Sequence, residues 1–293
     1  MRHTRSWVYE IWVGAMAYAY PSDFSLDYFP CHYGASKLLF RGPKQSLARP
    51  YCVAIGGTET YGKFVTDPFA SLLSAATDRT VINLGCMNAG PDVFLNDPEV
   101  LDIASRADLT IVQIVGAHNL SNRFYAVHPR RNDRFLRANP WLQSIYREVD
   151  FTEFHFTRHM LQTLFQVSPH RFVEVAAELQ STWAARMSQL LRGIKGKTLL
   201  LWMADHAPQS ARAGADAYGD PVLVHAGMIE EVRPFATAYL EVVTSRAANT
   251  EGVENMAFSP LERPAAKGVP GPLAHREVAD ALGDALHQLL GSK

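Results

Sequence analysis

The sequence predicts an α/β fold: three α/β/α layers on a five-stranded parallel sheet, flavodoxin-like in arrangement. Three observations carry that expectation. Five short apolar runs lack the alternation of a half-buried strand, as expected of strands covered on both faces. Amphipathic stretches with three-to-four spacing fall between those runs. A length of 293 residues suits one large domain, expected here over 51–293, behind an N-terminal extension over 1–50 that packs on it.

The first fifty residues are aromatic and rich in turns, with Tyr28-Phe29-Pro30, Tyr33-Gly34 and Arg41-Gly42-Pro43. The five strands follow as Tyr51–Ile55, Thr80–Leu84, Leu109–Val115, Thr198–Met203 and Tyr239–Val243. Asp67–Thr77 carries a helical face of Phe69, Leu72 and Leu73. A mostly helical insert over 116–197 separates the third and fourth strands, and Phe172–Leu191 is its best helix. Met228–Phe235 reads as a helix before the fifth strand. Residues 247–272, rich in Pro, Ala and Gly, read as a loop crossing the site edge. Leu273–Leu290 closes the chain as an amphipathic helix that Gly291 ends. Right-handed crossovers gather the strands' C-terminal ends on one edge, where α/β sheets bind ligands. Gly56–Thr60, Gly85–Gly90, Gly116–Asn122, Ala204–His206 and Thr244–Arg246 are therefore the segments expected to line a site.

Charge narrows the function classes. Lys and Arg total 28 against 29 Asp and Glu, a net charge of −1, which argues against broad nucleic-acid binding. Three cysteines, Cys31, Cys52 and Cys86, form neither a disulfide framework nor a CxxC pair, so a reducing compartment is expected. The apolar stretch Ile11–Tyr20 follows Glu10 and ends at Pro21 without a small-residue cleavage site. No window reaches the ~20 apolar residues of a membrane span. The expectation is a soluble, cytoplasmic protein with no cofactor, and the pattern specifies no oligomeric state.

The chemistry concentrates at strand ends. In Gly56-Gly57-Thr58-Glu59-Thr60-Tyr61-Gly62 two glycines let the chain turn sharply and present the Thr58 hydroxyl. A free alcohol is a weak nucleophile and needs a base; His275 at the mouth of the last helix is one option, and His206 beside Asp205 is another. The same loop nearly fits a P-loop, Gly57-x-x-x-x-Gly62-Lys63, but Phe64 stands where a hydroxyl binds Mg²⁺. Lys63 then serves a phosphate- or nucleotide-binding group transferase, the rival reading. Cys86 is either a nucleophile at the site edge or a small core residue. His155 and His159, with Glu153 nearby, share a face if the segment is helical, as zinc prefers; the competing reading is a half-buried aromatic face with solvated histidines and no metal. Arg123, His128, Arg130, Arg131, Arg134 and Arg137 form a basic cluster that selects an anionic substrate or acyl carrier, or is a solvated helix face paired with Asp133. Asn122-Arg123-Phe124-Tyr125 is its part expected nearest the pocket.

Taken together, the segments resemble the SGNH/GDSL hydrolase family. Gly56, Thr60 and Gly62 match the first family block, with Gly57 in place of aspartate and Thr58 where the nucleophilic serine stands. Val81-Ile82-Asn83-Leu84-Gly85 and Asn88-Ala89-Gly90 resemble the second block, leaving Gly85 and Gly90 as competing oxyanion-hole glycines. Gly116-Ala117-His118-Asn119 resembles the third, with His118 at the asparagine position. His275-Arg276-Glu277 resembles the end of the fifth, although Pro272 replaces its aspartate. The resemblance implies an SGNH-hydrolase-like fold and an esterase or O-acyltransferase acting on a small-molecule, acyl or glycan substrate. Thr58 is then the nucleophile, and Asn88 or Asn119 supplies a side-chain amide to the oxyanion. A non-catalytic binding module on the same fold is the third reading.

Overall fold

The structure is a computed structural model that describes residues 26–48, 50–209 and 219–291. In chain order its main elements are β1 (Tyr51–Ile55), α1 (Thr58–Tyr61), α2 (Phe69–Ala76), β2 (Thr80–Asn83), α3 (Pro91–Leu95), α4 (Pro98–Arg106) and β3 (Leu109–Gln113). Next come β4 (Tyr125–His128), β5 (Arg131–Ala138), α5 (Pro140–Ile145), α6 (Thr157–Val167), α7 (Pro169–Gly193) and β6 (Thr198–Ala204). Last are α8 (Ala226–Val232), β7 (Ala238–Val243), α9 (Arg246–Glu251), α10 (Arg263–Ala266) and α11 (Pro272–Leu290).

The main sheet has five strands in the order β2-β1-β3-β6-β7, every pair parallel. This is the doubly wound order that reverses direction between β1 and β3, the place where such sheets carry their ligands. Strand residues alternate between two cores. Val53, Ile55, Val112, Leu200 and Trp202 join the core that includes α7, while Cys52, Ala54, Ile111, Leu199, Leu201 and Met203 join the one beneath α2 and α11. Burial on both faces is why these runs show no polar alternation. The result is the three-layer α/β/α, SGNH-hydrolase-like architecture that the sequence predicts. Trp183 of α7 is fully buried, and its indole N–H donates to the Val115 carbonyl at 2.8 Å, fixing that helix to the end of β3.

Two expectations need correction. The basic stretch after β3 is not a helix face: β4 and β5 form a separate antiparallel hairpin with irregular register. The insert therefore opens as a β-ribbon and turns helical only later. His155 lies in extended chain before α6, so His155 and His159 do not share a helical face. Among the described residues no group of three or more His, Cys, Asp or Glu is placed to hold a metal ion.

Residues 26–48 pack on the main body through specific bonds. The buried Arg41 guanidinium donates to the carbonyls of Gly62 (2.5 Å), Val65 (2.8 Å) and Thr66 (2.7 Å), stitching this segment to the loop after α1. Residues 1–25 of the expected extension, and with them the apolar stretch Ile11–Tyr20, lie outside the described residues. Among the described residues no helix is long and apolar enough to cross a membrane.

Candidate active site

A cavity of about 1190 Å³ opens at the C-terminal ends of the strands. The segments after all five strands reach it: Thr58 and Glu59, Met87 to Ala89, Val115 to Asn119 apart from Ala117, Asp205 and His206, and Thr244. The chain between β7 and α11 crosses its edge, as expected, but with short helices in it: Ala248 and Asn249 of α9 and Pro264 and Ala265 of α10 line the rim, followed by the turn from Lys267 to Gly271.

Local chemistry shapes the corner that carries Thr58. Gly62 ends α1 with φ 71°, and a Cβ at that position would collide with Pro68, so only glycine lets the chain leave this one-turn helix here. Gln113, at the end of β3, braces the corner. Its Oε1 accepts the Gly57 N–H at 2.9 Å and the Thr60 hydroxyl at 2.6 Å. That leaves the Gln113 amide N–H aimed at Glu59 Oε2, 2.9 Å away. Thr58 Oγ1 donates to Asn88 Oδ1 at 3.1 Å and accepts the Asn88 N–H at 2.9 Å. Asn88 Nδ2 donates in turn to Asp133 Oδ2 at 3.2 Å, and Asn119 Nδ2 donates to the Asn88 carbonyl at 3.0 Å. Thr157 steadies Asn119 by donating to its Oδ1 at 2.6 Å.

The charges in the cavity are mixed. Arg158 pairs with Asp220, and His206 Nδ1 lies 2.6 Å from Asp205 Oδ1. Lys63 lies over the Phe64 ring and 4.0 Å from Glu262. Burial, with the Asp220 charge adding to it, pushes the Glu59 carboxyl above its ordinary range. Burial, followed by the Arg158 charge, lowers His118 to about 3, so the ring is neutral at pH 7.

The structure brings Thr58, Asn88, His118, Asn119, Asp205 and His206 to one cavity. Other candidates lie elsewhere. His275 is 1% exposed in the core, where its Nδ1 accepts the Phe69 N–H at 3.1 Å and its ring stacks on Phe69. It does not line the cavity. Gly85 lies against the Tyr61 backbone, and Gly90 gives its N–H to Asn132 Oδ1; both glycines serve close approach and leave the cavity wall to Met87, Asn88 and Ala89. Asn122 Oδ1 accepts the N–H groups of Phe124 and Tyr125, and Arg123 pairs with Glu178 of α7 with Nε 2.7 Å from Oε2. Neither reaches the cavity, and of the basic cluster's segment Asp133 is the member that does. Cys86 is buried and its thiol is pushed up to about 12 by burial, so it is an inert core residue. Lys63 does line the cavity, without the helix of a P-loop behind it, since α1 ends at Tyr61.

Glu59, Gln113, Arg158 and Asp220 were not singled out in the sequence. Gln113 had a signal, an amide closing a fully buried strand; Arg158 and Asp220 come from distant segments that only the fold joins.

The five-stranded parallel sheet in the order β2-β1-β3-β6-β7, covered by helices on both faces, is an SGNH-hydrolase-like α/β/α architecture. Within it, the chain belongs to the family described as domain of unknown function DUF6473, whose model matches residues 16–290. No curated protein matches the sequence. Among solved structures, the chain is similar to an extracellular lipase from Streptomyces rimosus, at 12% identity and a TM-score of 0.45, over 81% of this chain and 100% of that one. It is similar also to phospholipase A1 from Streptomyces albidoflavus NA297, at 12% identity and a TM-score of 0.46, over 81% and 99%. A third is the acetylxylan esterase Axe2 from Geobacillus stearothermophilus, at 11% identity and a TM-score of 0.39, over 83% and 95%. The cytoplasmic expectation is corrected on this comparison, since one of these similar proteins is named as extracellular, and the assignment is withdrawn.

Proposed function

We propose that the cavity is the active site of an SGNH-like hydrolase or acyltransferase that acts on an ester or acyl group through Thr58. One observation carries the reading: a hydroxyl at the first strand's corner and an Asp205–His206 pair at the fourth parallel strand's tip line the same cavity. In this mechanism the Thr58 oxygen attacks the acyl carbon and its proton passes to the free nitrogen of His206. Asp205, on Nδ1, holds the ring's orientation and stabilises the imidazolium. The leaving alcohol takes that proton, and water or an acceptor hydroxyl then releases the acyl group from Thr58. The second hydrogen of the Asn119 amide, whose first is committed to Asn88, is available to the oxyanion.

The test is turnover of p-nitrophenyl acetate and covalent labelling by a phosphonofluoridate. Wild type is expected to do both. Thr58→Ala should abolish labelling, and His206→Gln should lower kcat by roughly 10²-fold or more, the scale of losing a general base. Wild type that neither turns over nor labels overturns the reading, as does Thr58→Ala that keeps full activity. A second reading has its own observation: the Thr58 O–H donates to an amide oxygen and not to an imidazole. On that reading the fold is a non-catalytic binding module, and the same experiment returns no turnover with any acyl ester.

A further inference from the structure

The cavity contains a carboxyl that the acyl-transfer reading leaves unused. Glu59 follows Thr58 directly and lines the same wall. Its Oε2 is held by the Gln113 amide, which cannot turn away because Gln113 Oε1 is already engaged by Gly57 and Thr60. The carboxyl is therefore built in place. Beyond Gln113 the carboxyl is met by Glu59's own backbone N–H, and no Lys, Arg or His among the described residues lies within ion-pair distance of it.

Two cations that share the cavity are already engaged, Arg158 by Asp220 and Lys63 beside Glu262. The His206 ring is held by Asp205, and His159 is exposed with its ring edge-on to Phe154. Lys267 is exposed on the rim. A second observation comes from the same cavity. His118 is 7% exposed and its Nδ1 has no partner. Held neutral, this ring adds no positive charge to the wall, and its Nδ1 is sealed against Gly116. A half-buried carboxylate without an ion-pair partner is costly, and the raised proton affinity of Glu59 expresses that cost, which the more distant Arg158 charge offsets only in part. An ammonium guest relieves it by supplying the missing charge at a preformed acceptor.

We propose that Glu59 is a specificity-determining residue that receives an organic ammonium group of the substrate, held on the cavity wall one residue from Thr58. As a statement about substrate this rests on the acyl-ester reading; the ammonium site itself does not.

The experiment titrates the full chain with benzylamine, charged at pH 7.5, and with benzyl alcohol, its neutral counterpart of similar shape. Binding is read by NMR, and inhibition of p-nitrophenyl acetate turnover is read beside it. Benzylammonium should bind wild type at least about tenfold more tightly, a difference of about 1.4 kcal/mol. In Glu59→Gln the two ligands should bind alike, with the circular dichroism spectrum reporting the fold. Equal binding to wild type, or a preference for the alcohol, overturns the proposal without any variant. A preference that survives in Glu59→Gln overturns the role of Glu59. Selective ammonium binding without turnover of any ester leaves the site standing and sinks the acyl reading. Turnover without ammonium selectivity does the reverse.

Discussion

Asn88 shows how one residue can serve backbone and site together. Its φ of 54° lies in the left-handed region, which asparagine tolerates better than most residues, and its backbone N–H and side-chain oxygen both meet Thr58 Oγ1. Two substitutions separate these demands. Asn88→Gly keeps the conformation and loses the amide, whereas Asn88→Ala loses the amide and also strains the turn, by roughly 1–2 kcal/mol. Asn88→Ala is therefore expected to melt a few degrees below Asn88→Gly, since about 1 kcal/mol shifts Tm by roughly 2–4 °C at a chain length of 150–250 residues. Equal melting temperatures by circular dichroism would mean that the turn carries no such strain. Thr58 itself was legible in the sequence because paired glycines after a strand announce an exposed corner. Its bonding partner was not, because Asn88 meets it only once β1 and β2 lie side by side.

Elements were legible in proportion to how continuously they are buried. The first strand lies where the apolar run placed it, and the other four differ by no more than two residues at an end. Strands β1, β3 and β6 are buried throughout, while the edge strand β7 is marked by its β-branched and aromatic residues despite exposed Glu241 and Val243. The β4–β5 hairpin was opaque for the opposite reason. Its arginines alternate with apolar residues only in part, and its register shifts twice, so neither period dominates. Helix α4 shows a different kind of legibility, a cap that also acts at long range. Asp97 Oδ1 accepts the N–H groups of Glu99 at 3.1 Å and Val100 at 3.2 Å, while Oδ2 accepts the Ser36 hydroxyl at 2.7 Å. Asp97→Ala removes the cap and the tether to residues 26–48 together, and should cost about 1–2 kcal/mol in denaturant unfolding. Asp97→Asn, which keeps an oxygen acceptor for the helix, should recover most of it. Equal losses in the two variants would assign the cost to charge and not to capping.

At the scale of the molecule, the strand-tip rule located the cavity but could not assign its histidines. His275 and His206 both begin from a strand or helix end near the site edge, and only packing decides that one is sealed in the core while the other lines the cavity. That decision has a global consequence. Burial, with Arg41 adding a little, lowers His275 to about 3, and His118 reaches about 3 likewise. Both native rings stay neutral through a range in which an unfolded histidine, with a pKa near 6.5, takes up a proton. The unfolded state therefore binds more protons between about pH 6.5 and pH 3, and stability is full above that window and falls as pH drops through it. From pH 7.5 to pH 5 each ring accounts for about 2 kcal/mol of loss. The raised carboxyls of Glu59 and Asp92 act in the opposite sense, since their native forms take up protons first, whereas the lowered His225 adds to the loss. Substitution isolates the histidine contribution. His275→Asn can set an amide oxygen near the place of Nδ1, keeping an acceptor for the Phe69 N–H while removing the titrating group. Urea unfolding at both pH values should show a smaller acid loss for His275→Asn than for wild type, by about 2 kcal/mol, even if the variant starts less stable. Parallel losses would mean that His275 takes up its proton in the folded protein as readily as in the unfolded chain, and its place in the core would then have to be redrawn.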